Sequence, residues 1–236
     1  MKAIIGGTGI DQISGFPSER RQIKTPYGLV EVFIGTGAHA SLAFLPRHGS
    51  EHSVPPHLIN YRANITALKQ LGVDELISIY AVGSITDALK PGEIGTLSDF
   101  VDLSGGGREH TFFTGGSQGL EHVGMDRVFD PGLSEALHAC DASLKHAGVY
   151  VCTNGPRLET PSEIRMFKTL GFDVVGMTAA TEVALAREAG IKVASLAYSI
   201  NWAAGVGSDK VAFIGDETIA MLKERMVSLC LKVFGE

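Results

Sequence analysis

The sequence predicts an α/β protein, a single domain over residues 1–236 in which helices flank a central mixed, mostly parallel β-sheet. Two observations carry this. Apolar runs of strand length alternate with segments whose apolar residues recur at three- and four-residue steps. No linker rich in Ser and Pro, no charge run, no internal repeat and no low-complexity tract divides the chain. It is 44% hydrophobic and, at 236 residues, long enough to bury one large core.

The elements follow in order. Ala3-Ile4-Ile5 reads as a short buried strand running into Gly6-Gly7-Thr8-Gly9. Residues 29–34 and 41–45 read as β segments around a Gly-rich turn. Pro55-Pro56 opens a helix in which Leu58, Tyr61, Ile65, Leu68 and Leu71 form an apolar stripe, with Gly72 as its C-cap. Residues 76–82 are a continuous apolar run ending at Gly83. Residues 131–147 read as helix and 149–152 as strand. In Thr160-Pro161-Ser162-Glu163, Thr160 can cap, Pro161 suits the first helical position and Glu163 completes a capping box. Val174-Val175 ends a further strand, residues 181–189 form a helix stopped by Gly190, and residues 191–200 are the longest β candidate. A last helix runs from about Asp216, where Ile219, Leu222, Met226, Leu229 and Val233 turn one side to the core. The segment 102–130, rich in Gly and His, reads as loop.

Bulk properties exclude several classes. The net charge is −6 with no Lys/Arg cluster, which argues against a nucleic-acid groove, although two or three placed cations can still hold a small anion. Cys140, Cys152 and Cys230 are scattered and form no CxxC, so neither a disulfide framework nor a zinc site is expected, and a reducing, cytoplasmic compartment fits. Met1 to Gly7 has no signal-peptide core, and no apolar stretch reaches about 18 residues, so no membrane span is expected.

Polar residues cluster just past the apolar runs, where open α/β sheets hold ligands. Backbone N–H groups of Gly6-Gly7-Thr8-Gly9 can cradle a phosphate with the Thr8 hydroxyl, yet an ordinary tight turn has the same composition. A dinucleotide fingerprint would need Gly at position 12, where Gln12 stands. In Pro46-Arg47-His48-Gly49, Arg47 offers a planar donor fork suited to phosphate and His48 a donor or a proton. His52 and His57 lie nearby without an acidic or Cys partner at metal-ligand spacing, so no metal is expected. Small residues in Tyr80-Ala81-Val82-Gly83-Ser84 allow a ligand close to backbone amides, and in Gly176-Met177-Thr178 the Met can pack beneath a sugar or base while Thr178 binds phosphate. Glu159 stands just before the capped helix, and Asn201 and Trp202 follow the long strand. A carboxylate that accepts from ring N1–H and an amide that donates to O6 and accepts from N7–H could together read a 6-oxopurine.

As a set, Pro46-Arg47-His48-Gly49, Asn60-Tyr61-Arg62-Ala63-Asn64, Gly155-Pro156-Arg157-Leu158-Glu159-Thr160 and Gly176-Met177-Thr178 resemble the family of purine nucleoside phosphorylases and methylthioadenosine phosphorylases, in that family's order and from Gly6 to about Gly205. The resemblance implies a nucleoside phosphorylase-like α/β domain assembled as a trimer or a dimer of trimers. It implies reversible phosphorolysis of a nucleoside to free base and sugar 1-phosphate, with no cofactor and with inorganic phosphate as co-substrate. It assigns phosphate binding to Thr8, Arg47, His48, Ala81 and Thr178, and purine or sugar binding to Leu158, Glu159, Met177 and Asn201. It sends His122 into a neighbouring subunit's 5′ pocket. Catalysis would rest on Asn201, Arg47 and Glu159.

The 6-aminopurine branch has Ser where this chain has Glu159 and Asp where it has Asn201, so the resemblance points to a 6-oxopurine substrate. The ending Asn201-Trp202-Ala203-Ala204-Gly205 resembles that of bacterial methylthioinosine phosphorylases, and residues after Gly205 are expected to line the 5′ pocket. Three rivals remain: a methylthioadenosine phosphorylase, a nucleoside hydrolase that needs no phosphate, and a nucleotide-binding module or reductase built on Gly6-Gly7-Thr8-Gly9.

Overall fold

The computed structural model describes residues 1–235 except Ser14, His52 and Asp209, with Gln118 as backbone only. The strands are β1 (Lys2–Gly6), β2 (Ser18–Thr25), β3 (Gly28–Gly35), β4 (Leu42–Pro46), β5 (Glu75–Ser84), β6 (Ile94–Asp102), β7 (Lys145–Cys152), β8 (Val174–Gly176) and β9 (Lys192–Trp202). The helices are α1 (Tyr61–Gln70), α2 (Pro131–Cys140), α3 (Pro161–Thr169), α4 (Ala179–Glu188) and α5 (Asp216–Phe234). All nine described strands join one sheet in the order β2-β3-β4-β1-β5-β8-β7-β6-β9, and β5 also pairs with β9. That second pairing closes β5, β8, β7, β6 and β9 into a ring. Parallel ladders join β1 to β4 and β5, β5 to β9, and β7 to β6 and β8; the others are antiparallel.

Strands buried on both faces supply the core. Along β1, Ala3 and Ile5 face α1 and α4, while Ile4 faces α2 and α5. In β5, Leu76, Tyr80 and Val82 take the first side and Ile77 and Ile79 the second. Such two-sided burial turns period-2 strands into continuous apolar runs. Leu222, Met226 and Leu229 of α5 are buried as the stripe predicts, with Ile219 and Val233 partly buried at its ends. Among the described residues, no helix is long and apolar enough to cross a membrane.

The structure corrects three element boundaries. The helix expected from Pro55-Pro56 begins at Tyr61: residues Pro56–Leu58 form a 3-10 turn, Asn60 caps α1 by accepting from the Ala63 N–H at 3.0 Å, and Leu58 is exposed. The helix expected over 131–147 stops at Cys140, and β7 starts already at Lys145. Two strands were not anticipated. β2 (Ser-Glu-Arg-Arg-Gln-Ile-Lys-Thr) is an exposed edge strand without an apolar face, the composition that keeps an edge from pairing with another molecule. β6 is buried only from Ile94 to Leu97; its later apolar residues, Phe100 and Val101, are half-buried among Ser98, Asp99 and Asp102, so no continuous apolar run marks the strand.

Candidate active site

Six strands send their C-terminal ends toward one partly open cavity. Thr8 follows β1, Arg47 and His48 follow β4, Ala81 and Gly83 lie in β5, Leu158 and Glu159 follow β7, Met177 and Thr178 follow β8, and Asn201 lies near the end of β9; all line it. Glu159 and Asn201 therefore share a cavity although long stretches of chain separate them. Both are nearly buried, at 9% and 6% exposure. His122 is exposed on the loop between β6 and α2 and does not line this cavity. His52 lies outside the described residues.

Arg47 is held more firmly than its loop position suggested. Its Nε and one terminal nitrogen donate to the Glu182 carboxylate at 2.6 and 2.8 Å, and the other terminal nitrogen donates to the Ile79 carbonyl at 2.9 Å. Three of the five guanidinium N–H groups are thus used, leaving one hydrogen on each terminal nitrogen without a partner among the described residues. Tyr80 adds a hydrogen bond to Glu182 at 2.9 Å and lies under the guanidinium, 4.7 Å from its ring centre. Burial alone would lower the Arg47 pKa, but the Glu182 carboxylate outweighs it and keeps the cation above its ordinary range. Tyr80 is pushed up, first by burial and then by Glu182, so it stays a donor. The approach of Arg47 to the first Gly-rich turn explains Gly7: a Cβ there would lie 2.7 Å from the guanidinium and 2.5 Å from the Ile79 carbonyl.

The Glu159 carboxylate, which also lines the cavity, accepts from the Thr153 hydroxyl at 2.7 Å. The Asn201 amide nitrogen donates to the Trp202 carbonyl at 2.8 Å. A carbonyl can only accept, so this bond fixes which way the amide faces and leaves its oxygen and second N–H for other partners. The position of Asn201 depends on a bulge: Val82 pairs with Ser199 and Gly83 with Asn201, skipping Ile200, so that both Ile200 and Asn201 line the cavity. Trp202 itself is not among the lining residues; its backbone orients Asn201. His48 Nδ1 lies 2.8 Å from the Val54 carbonyl, which makes Nδ1 the protonated nitrogen. Thr178 makes no cap bond to α4 and turns to the cavity. Behind the site, burial pushes the Cys152 thiol up to about 11, so it is no nucleophile at neutral pH.

Sequence reasoning missed Glu182, Arg108 and Phe213. Glu182 looks like an ordinary first-turn acid of α4. Arg108, buried at 7% exposure, donates to the Asn154 side-chain and backbone oxygens at 2.9 and 2.6 Å and to the Met177 carbonyl at 2.7 Å, clamping two cavity-forming loops. Its only signal was a cation in the Gly- and His-rich segment. Phe213 lines the cavity from the stretch beyond Gly205 and bridges the backbone of Asn201. Arg62 of the Asn60–Asn64 run, by contrast, serves structure: it stacks on Tyr27 at 4.7 Å and pairs with Glu109 at 2.9 Å. Among the described residues, no group of three or more His, Cys, Asp or Glu is placed to hold a metal ion.

A sheet of this topology with a largely apolar cavity carrying a few polar groups at its strand ends defines a small-molecule α/β enzyme. Residues 2–232 match the phosphorylase superfamily, and the chain belongs to that family. It is 40% identical over 235 residues to the 6-oxopurine nucleoside phosphorylase of Pyrococcus furiosus, covering 94% of this chain and 86% of that one. It is 42% identical over 210 residues to a protein of Pseudomonas syringae pv. tomato described as a probable S-methyl-5'-thioinosine phosphorylase, covering 86% of this chain and 85% of the other. In structure it is similar to the methylthioadenosine phosphorylase of Schistosoma mansoni, with a TM-score of 0.85 and 30% identity over 99% of this chain and 91% of that one.

Proposed function

We propose that this protein catalyses the reversible, phosphate-dependent cleavage of the N-glycosidic bond of 6-oxopurine nucleosides, above all S-methyl-5'-thioinosine to hypoxanthine and 5-methylthioribose 1-phosphate, with inosine and guanosine as further substrates. The observation that carries this reading is the cavity shared by Glu159 and Asn201, which the buried Arg47 also lines. The relatives' names point the same way.

In this reading phosphate is held by Thr8, Arg47, His48, Thr178 and the backbone at Ala81, below a sugar packed on Met177. The glycosidic bond stretches first and the sugar gains oxocarbenium character. Phosphate oxygens stabilise that cation and then bond to C1′. Charge moves onto the purine. Asn201 donates to O6 and, once a proton from dihydrogen phosphate or solvent has reached N7 of the departing base, accepts from N7–H; Glu159 accepts from N1–H, and Leu158 covers the ring. Because phosphate is the nucleophile, the reaction calls for no side-chain nucleophile and no organic cofactor. The apolar ring of Phe213 suits a methylthio group better than a hydroxyl. His122, exposed and away from its own cavity, would complete the 5′ pocket of a neighbouring subunit in a trimer or dimer of trimers.

Base release from inosine, guanosine, methylthioinosine and methylthioadenosine, with and without phosphate, tests the assignment. The three 6-oxopurine nucleosides should react only with phosphate present, and methylthioinosine fastest. Release without phosphate would make the protein a hydrolase. A preference for methylthioadenosine would overturn the base assignment.

A further inference from the structure

Glu159 stands between two cavities. One face looks into the cavity described above; the other borders a second cavity lined by Thr153, Asn154, Arg157 and Glu163. Thr153 lines only the second. Its hydroxyl therefore reaches the Glu159 carboxylate from behind, at 2.7 Å on Oε1. A hydroxyl has one proton to give. The other acceptor in reach, the Gly176 carbonyl, is 3.5 Å away and already takes the Thr153 N–H at 2.9 Å. The proton accordingly goes to the carboxylate, the shorter and charge-assisted bond. Thr153 itself is pinned. Its N–H is bonded to Gly176, and the Arg108 guanidinium binds its carbonyl at 3.3 Å and the carbonyl of Asn154 at 2.6 Å.

We propose that Thr153 is a positioning residue that sets base selectivity. This rests on the phosphorolysis reading above. By donating to Oε1, Thr153 fixes the carboxylate plane and leaves Oε2 as the acceptor that faces the base. An N1–H matches that acceptor; the bare N1 of a 6-aminopurine meets it as a second acceptor and is rejected. Without the hydroxyl, the carboxylate can turn and loses its fixed acceptor direction, so the 6-oxopurine loses affinity and the discrimination falls.

The test compares the parent with Thr153→Val, which keeps the branched shape, Thr153→Ser, which keeps the hydroxyl, and Thr153→Ala. KM and kcat are measured for methylthioinosine and methylthioadenosine, together with the KM for phosphate. In the Val and Ala variants, KM for methylthioinosine should rise by on the order of tenfold. The preference over methylthioadenosine should narrow by a similar factor, while kcat changes less and the phosphate KM stays put. Thr153→Ser should recover most of the loss. A Val variant with parental KM and preference overturns the proposal. So does a Ser variant as impaired as Val, or an equal loss on both nucleosides and on phosphate, which would mark general damage. Calorimetric titration with hypoxanthine separates the two claims. If the parent binds hypoxanthine but performs no phosphorolysis, the functional reading fails and the Val-to-parent affinity ratio still decides the role of Thr153. A parent that neither cleaves nor binds overturns both.

Discussion

Asn201 presents an amide whose direction is set by the Trp202 carbonyl. An aspartate at this position would put a carboxylate oxygen against that carbonyl, two acceptors face to face. Asn201→Asp should therefore lower turnover of 6-oxopurine nucleosides by on the order of tenfold or more and shift the preference toward 6-aminopurines, as steady-state kinetics on inosine and methylthioadenosine would show. An unchanged preference would remove Asn201 from base recognition. Glu182 carries the other half of the site by neutralising and aiming Arg47 inside the protein. Breaking such a buried pair costs about 3–5 kcal/mol because the remaining charge is left uncompensated. Glu182→Ala should lower stability by about that amount in urea unfolding and raise the phosphate KM; a variant as stable as the parent would show that Arg47 finds another partner. Asn201, Glu159 and Arg47 were legible because each follows an apolar run. Glu182 was not, since a buried acid in a helix looks like a solvent-facing one until its partner, far away in sequence, is known.

Local signals decided which elements could be read. The start of α3 was fully legible. Thr160 accepts from the Glu163 N–H and the Glu163 side chain returns the bond to the Thr160 N–H, while Arg157 closes over the same carboxylate at 2.7 Å. Arg157 first, then the Thr160 amide, holds the Glu163 carboxyl down to about 2 from its ordinary 4.5. A carboxyl depressed in the folded state stabilises above its unfolded pKa and ceases to do so as pH falls through its folded one. The capped helix start should thus weaken between about pH 4.5 and about 2. In melting experiments Glu163→Gln should be less stable than the parent at pH 7 and converge with it near pH 2; a constant difference across that range would contradict the assignment. The overrun of α2 has a plain cause. Asp141, Ser143 and Leu144 continue a helical-looking mixture, but the Asp141 carboxylate binds the Ser143 N–H and Arg225 of α5, ending the helix in a turn. β2 and β6 were missed because strand pairing, not apolar alternation, defines them.

At the scale of the molecule, the ring of β5, β8, β7, β6 and β9 brings together loops that start far apart in sequence, and the bulge at Ile200 turns the end of β9 toward them. The α/β class was legible from alternation alone; ring closure was not, because it depends on β5 pairing on both sides with strands from the second half of the chain. The exposed His122 bears on assembly. Light scattering should give three chains or six per particle, and His122→Ala should raise the nucleoside KM without changing that mass. A monomer that retains full activity would contradict a site shared between subunits. The most direct test of the whole account is a crystal structure with hypoxanthine and phosphate bound. Hypoxanthine should lie with N1 against the Glu159 carboxylate and N7 and O6 against the Asn201 amide, with phosphate between Arg47 and Thr178. A purine bound elsewhere, or with that edge turned away from both residues, would contradict it.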